Sequence, residues 1–157
     1  MKIIHIDISE KTQQAIAEGL SRFLADDYAM YVKTQNFHWN LQGPEFFSLH
    51  LLFEKQYKEM AEELDEIAER IRAMGFFVEA SFTAFKKRTE VKEDSKVLSI
   101  KEMILSLVDG HEMLIRHGRH VAQIADKEKD FASVDMLGRM LGAHEKMRWM
   151  LHSHLSV

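Results

Sequence analysis

The stretch FHWNLQGPEFFSLHLLFEKQYKEMAEELDEIAERIRAMG, residues 37–75, decides how this chain is read. Asn40 to Gly43 reads as a turn. Pro44 suits the first turn of a new helix, where its missing N–H does no harm. Nothing then breaks a helix before Met74, and Gly75 fits a C-terminal stop. The apolar stripe of that helix is Phe47, Leu51, Tyr57, Met60, Leu64, Ile67, Ala68 and Ile71. Four potential metal ligands stand on it. His50 and Glu54 are four apart, as are Asp65 and Glu69. Each pair lies on one helix face and can grip one metal. The two pairs cannot grip the same metal within one chain, because eleven residues of helix advance roughly 16 Å and a metal's ligand shell is only a few ångströms across. If all four bind one centre, two chains contribute, antiparallel across a two-fold axis.

Working outward, a first helix is expected from about Ser9 to Phe37, with Ile16, Leu20, Phe23, Leu24, Met30 and Tyr31 at helical spacing. Residues 76–98 are too long a connection to lack structure, and a short helix is expected near Phe82 to Arg88. A third long helix opens at Ser99, where Glu102 completes a capping box, and ends near Ala125. DKEKD is a turn. Asp130 or Ser133 caps a fourth helix, which runs through Leu137, Leu141, His144, Met147 and Leu151 to about His154. Two helical hairpins joined by a long crossover predict an all-α four-helix bundle with a short extra helix between helices 2 and 3. Its connectivity is ferritin-like, and the alternative is a plain up-and-down bundle with a decorated loop.

Composition sets the frame. A chain of 157 residues fits a single domain over 1–157 that buries roughly 70% of its unfolded surface; residues 1–8 read as a short tail. One proline and seven glycines leave room for long helices. The absence of cysteine excludes disulfides, thiolate metal sites and thiol catalysis. Lys plus Arg number 21 against 25 Asp plus Glu, a net charge of −4, unlike a basic nucleic-acid binder. MKIIHIDISEK is no signal peptide, and no apolar run nears the roughly 18 residues that span a bilayer. A soluble cytoplasmic protein without a membrane partner is expected.

A di-iron site inside a ferritin-like bundle uses Glu-x-x-His on two helices. The positions three before His111, His117, His120, His144, His152 and His154 are Val, Leu, His, Leu, Trp and Leu. The usual intrachain di-iron site is therefore not expected, which strengthens the two-chain reading. HWNLQG, then His50, Glu54, Asp65 and Glu69, with HEKMRWML near the C-terminus, resembles the Dps family of mini-ferritins, the DNA-binding proteins of starved cells. The resemblance covers nearly the whole chain. It implies a hollow homododecamer with a di-iron ferroxidase site between two-fold-related subunits. His38, His50 and Glu54 come from one subunit, Asp65 and Glu69 from its neighbour. The family commonly has aspartate at the position of Glu54; the longer side chain still offers a carboxylate and alters metal spacing.

The resemblance further implies oxidation of Fe(II) with hydrogen peroxide or oxygen, storage of ferric mineral, and protection against oxidative stress. Imidazole and carboxylate suit iron, and zinc or manganese can occupy the same ligands. Trp39 is placed by the resemblance beside the iron site as a radical trap; packing is its ordinary role. Asp130 and Asp135 are the candidates for an acidic ion-access pore, since a charged constriction draws cations; the ordinary role of Asp130 is an N-cap. The family name invites a second function, DNA binding with nucleoid association. Phosphate neutralisation needs several cations together, yet residues 1–10 hold one lysine against Asp7 and Glu10, and LHSHLSV holds none. Only Lys86, Lys87 and Arg88 cluster, so weak or no DNA binding is expected near neutral pH. A metal-binding bundle without iron turnover is the third reading.

Overall fold

The computed structural model describes residues 7–94 and 96–155. The first six residues of the expected tail lie outside them. The helices are α1 (Glu10–Asn40), α2 (Phe46–Ala73), α3 (Phe82–Arg88), α4 (Ile100–Lys127) and α5 (Phe131–His152). Among the described residues there is no β-strand, and no helix is long and apolar enough to cross a membrane.

The ends follow the capping chemistry. The Ser9 hydroxyl accepts from the Thr12 N–H at 3.2 Å. Ser99 and Glu102 form the expected reciprocal box. Asp130, not Ser133, caps α5, and its carboxylate accepts the Ser133 N–H. Gly75 adopts φ 89° and stops α2; a β-carbon would strain there. Two boundaries differ from expectation. α1 runs on past Phe37 through HWN, so His38 sits on a final helical turn rather than in a loop. α2 begins at Phe46, because Pro44 is spent in a turn closed by the Phe46 N–H on the Gly43 carbonyl.

The apolar face of α2 also differs. Leu49 and Phe53 are fully buried, whereas Phe47 and Leu51 are exposed. FFSLHLLF is apolar nearly all round, so its period is ambiguous, and the bundle takes the face that continues into Met60, Ile67 and Ile71. Phe46, Phe47, Leu51 and Trp39 are left uncovered on the outside.

Neighbour relations decide the topology. α1 packs on α2 and α4, and α5 packs on α4 and α2. Among the described residues α2 and α4 do not meet. Lys33 bonds Ser106, Met30 abuts Gly110, and Phe23 abuts Gly118, so α1 and α4 are antiparallel. Gln56 bonds the Met147 carbonyl and Arg70 bonds Ser133, so α2 and α5 are antiparallel too. The parallel pair α2 and α4 therefore lies on a diagonal, joined by the crossover that carries α3. This is the ferritin-like bundle, and the up-and-down alternative, in which α2 and α4 would be neighbours, is ruled out. The glycines permit the α1–α4 approach: a β-carbon on Gly110 would come within 2.2 Å of the Met30 sulfur.

One clasp ties the far end of α2 to the start of α5. Arg70 reaches Asp130 Oδ1 at 2.6 Å and Ser133 Oγ at 2.8 Å, and the Ser133 hydroxyl bonds Asp130 Oδ2 at 2.6 Å. Burial raises the Asp130 pKa, but the bonds from Arg70 and Ser133 outweigh it, and the carboxyl lies below its ordinary 3.8. Its stabilisation is therefore complete above pH 3.8 and fades as pH falls through the lower folded value. Asp130→Asn keeps a capping oxygen and loses the ion pair; Asp130→Ala loses both. In urea unfolding at pH 7 the order of stability is wild type, Asn, Ala, with the last step about 1 kcal/mol. The gap between wild type and Asn closes as the solution is taken below pH 3.8.

Candidate metal centre

His38, on the last turn of α1, meets His50, on the second turn of α2, across the hairpin. The two rings stack with centroids 3.8 Å apart. His38 Nδ1 lies 2.9 Å from the His50 carbonyl, and His50 Nδ1 lies 3.0 Å from the His38 carbonyl. A carbonyl only accepts, so both Nδ1 atoms carry hydrogen. Each histidine thus locks the other's tautomer and ring plane, and both neutral rings keep the Nε2 lone pair for a ligand. This is the backbone support that metal-binding imidazoles use. Tyr57 packs edge-on against His38 and Phe46 stacks on His50. His38 is 7% exposed.

Glu54, one turn beyond His50, pairs with Lys58. That hydrogen bond and charge lower its pKa, with smaller contributions from His38 and His50. A carboxylate with a depressed pKa stays ionised, as a metal ligand must. Asp65 and Glu69 are exposed further along α2. The structure thus brings His38, His50 and Glu54 to one end of the hairpin and leaves Asp65 and Glu69 apart from them. Trp39, next to His38, is 66% exposed. It lines a groove of about 570 Å³ with Tyr28, Phe82 and Phe85, and none of the five candidate ligands lines that groove. Asp135 is exposed and pairs with Arg139, whereas Asp130 has both oxygens engaged in the clasp.

Among the described residues, the one group of three close-set metal-binding side chains within the chain lies elsewhere. Asp27 of α1, Glu63 of α2 and His144 of α5 meet in the bundle interior. His111 of α4 joins them, its Nδ1 at 3.0 Å from His144 Nδ1. Burial raises the Asp27 pKa and the neighbouring Glu63 and Asp26 add to this, with His144 opposing. Burial and the His144 charge hold His111 well below the usual histidine range. For His144, burial pushes downward, but contact with Glu63 and the charges of Asp27 and Glu59 prevail and raise it. Sequence reasoning passed over this group. It has no Glu-x-x-His, and one residue from each of four helices leaves no local spacing to find. The faint signal was a polar residue on an otherwise apolar stripe, His144 among Leu137, Leu141, Met147 and Leu151.

The ferritin-like domain family model matches residues 17–157. The DNA protection during starvation protein of Porphyromonas gingivalis is 33% identical over 98% of this chain and 97% of its own. The chain belongs to the Dps family of ferritin-like proteins. A low temperature-induced protein of Nostoc, itself uncharacterized, is 37% identical over 99% of this chain and 88% of that one. The crystal structure of the Dps protein from Vibrio cholerae, described as a member of a superfamily of ferritin-like diiron-carboxylate proteins, superposes with a TM-score of 0.93. It is 30% identical, over 99% of this chain and 98% of that one. A Dps match along the whole bundle includes the crossover and α3.

The tautomer lock is directly observable. Nitrogen-15 spectra of the metal-free protein at pH 8 are expected to show His38 and His50 protonated at Nδ1 and bare at Nε2; His50→Ala removes the His50 signals and leaves His38 bonded to the retained main-chain carbonyl. Signals of the opposite tautomer at these residues would contradict the geometry.

Proposed function

We propose that this Dps-family protein assembles as a hollow homododecamer, oxidises Fe(II) at centres shared between two-fold-related subunits, and stores the ferric product. The observation that carries this reading is the reciprocal His38–His50 lock. It presents two Nε2 donors beside Glu54, while Asp65 and Glu69 lie too far along the same helix to complete the set. A second copy of α2, antiparallel to the first, supplies them. The uncovered Trp39, Phe46, Phe47 and Leu51 support a partner on this face, since exposed apolar clusters of this kind mark interfaces.

Iron is the substrate. His38, His50 and Glu54 of one subunit and Asp65 and Glu69 of its neighbour hold Fe(II) in a nitrogen and oxygen shell; carboxylate oxygen favours the Fe(III) product. Hydrogen peroxide takes one electron from each of two Fe(II) ions and, with two protons, leaves as two waters; oxygen is the alternative oxidant. Zinc or manganese competes for the same donors. Trp39, beside His38, is the radical trap that spares the shell from stray one-electron chemistry. Of the two pore candidates, Asp135 carries the cation-drawing role, because it alone has oxygens facing solvent.

The name of the P. gingivalis relative, a DNA protection during starvation protein, favours a DNA-protecting role, and removal of iron and peroxide together provides one without contact. The surface argues against tight DNA binding. In the one basic cluster, Lys86 pairs with Glu93 and Arg88 with Glu79, which offsets two of its three cations and lowers the charge available for phosphates.

Asp65→Ala tests the shared centre cleanly, because an exposed helix position costs little stability. Peroxide-driven Fe(II) oxidation should slow at least about 10-fold, the lower end for losing even an outer support of a metal ligand, with the assembled particle intact by gel filtration. Unchanged kinetics would remove the assignment. In a gel shift at pH 7.5 and physiological salt, duplex DNA is expected to migrate free; tight, salt-sensitive retention would move the reading toward chromosome compaction.

A further inference from the structure

The buried group inside the bundle takes no part in the shared centre. It lies on the opposite side of α2: Glu63 faces inward, whereas Asp65 and Glu69 face outward. Asp27, His111 and His144 are fully buried and Glu63 is 8% exposed. His144 Nε2 stands 3.2 Å from Glu63 Oε2 and 3.7 Å from Asp27 Oδ1, yet the geometry makes a hydrogen bond to neither. Both Asp27 oxygens, Glu63 Oε2 and His144 Nε2 are buried without a hydrogen-bond partner. Leaving such a group unpaired is costly, and more so when it is charged. One donor atom from each of Asp27, Glu63 and His144 lies within 4.8 Å of the other two, the wrong arrangement for a packed core and the right one for a cation.

We propose that Asp27, Glu63 and His144 bind one divalent first-row transition-metal ion inside the bundle of each subunit. The spacing fits. Donors about 2.0–2.2 Å from a shared ion lie about 3.4 Å apart in a tetrahedral set, and 3.2 and 3.7 Å bracket that value. The charge fits, because two carboxylates neutralise a dication and remove the cost of burying either sign alone. The orientation fits as well. His144 Nδ1 lies 3.0 Å from His111 Nδ1; with Nε2 on an ion, His144 would donate its Nδ1 hydrogen there, making His111 the outer partner that ligating histidines use. Phe23 packs edge-on against the same ring. Glu63, the one member with a trace of exposure, marks the way in, and Glu59 one turn earlier on α2 adds negative charge toward His144. One imidazole, two carboxylates and no thiolate select zinc, manganese or Fe(II) over copper(I).

The test begins from a background that lacks the shared centre: His50→Ala, Asp65→Ala and Glu69→Ala in the full chain. The assembled protein is dialysed anaerobically against Co(II), freed of excess, and analysed for metal and visible absorption. About one cobalt per chain, with the intense d–d bands of low coordination, is expected. Adding Asp27→Asn or Glu63→Gln, which keep size and shape, should weaken retention at least about 10-fold. Background protein that retains no cobalt, or bands unchanged by both substitutions, would overturn the proposal. Where these buried variants do not fold, zinc X-ray absorption on the background protein decides. One imidazole per zinc with oxygen neighbours supports the bundle site; two or more imidazoles place the zinc on surface histidines and overturn it. The inference stands apart from the ferroxidase reading, since failure of wild-type protein to oxidise iron would leave this metal count unchanged.

Discussion

The crossover of this bundle is held down by a single buried carboxylate. Asp26 accepts hydrogen bonds from the Thr89 hydroxyl at 3.0 Å and the Glu90 N–H at 2.7 Å, and His117 Nδ1 approaches it at 2.7 Å. Burial raises its pKa, with His117 and Thr89 pulling it back. Arg22 and His117 also pair with Glu90. A long connection running beside the bundle must satisfy its backbone groups somewhere, and Asp26 does this at the point where the chain leaves α3. Asp26 thereby ties the start of the crossover to α1 and, through His117, to α4. Lys33, bonded to Asp94 at 2.9 Å and to Ser106 at 2.8 Å, fixes the same segment further on.

Asp26 and Asp27 are neighbours in sequence with opposite assignments. Successive helix positions point about 100° apart, so one aspartate turns outward to the crossover and the other turns inward to His144. The same division recurs on α2, where Glu63 faces the interior and Asp65 and Glu69 face out. A bundle helix ordinarily devotes one face to apolar packing and the rest to solvent. Here the inner face carries a polar group on every long helix, Asp27, Glu63, His111 and His144, and the outer face carries Trp39, Phe46, Phe47 and Leu51. Both departures fall where this chain is proposed to hold metal or meet a second copy.

The helix plan was open to reading because its punctuation is local. Ser9, the Ser99–Glu102 box, Asp130 and Gly75 each act within one turn, and each ends or begins a helix where the residues indicate. Phe82–Arg88 in the crossover was likewise legible from length alone. The separation of His50 and Glu54 from Asp65 and Glu69 was legible because helical rise converts spacing into distance without any knowledge of the fold. What was not legible is non-local. That α1 rather than α2 packs on α4 shows in contacts such as Met30 against Gly110, far apart in sequence. The inward face of FFSLHLLF depends on which neighbours arrive. The interior group draws one residue from each of four helices, so no window of sequence contains it.

α2 serves as a ruler with marks on two sides. One added or deleted residue between Glu54 and Asp65 shifts everything beyond by 1.5 Å and turns it by about 100°. Such a change would turn Asp65 and Glu69 to another side of the helix relative to His50 and Glu54, swing Glu63 away from His144, and pull Arg70 out of reach of Asp130. Substitutions on this helix keep that register, whereas insertions and deletions break it on both sides at once.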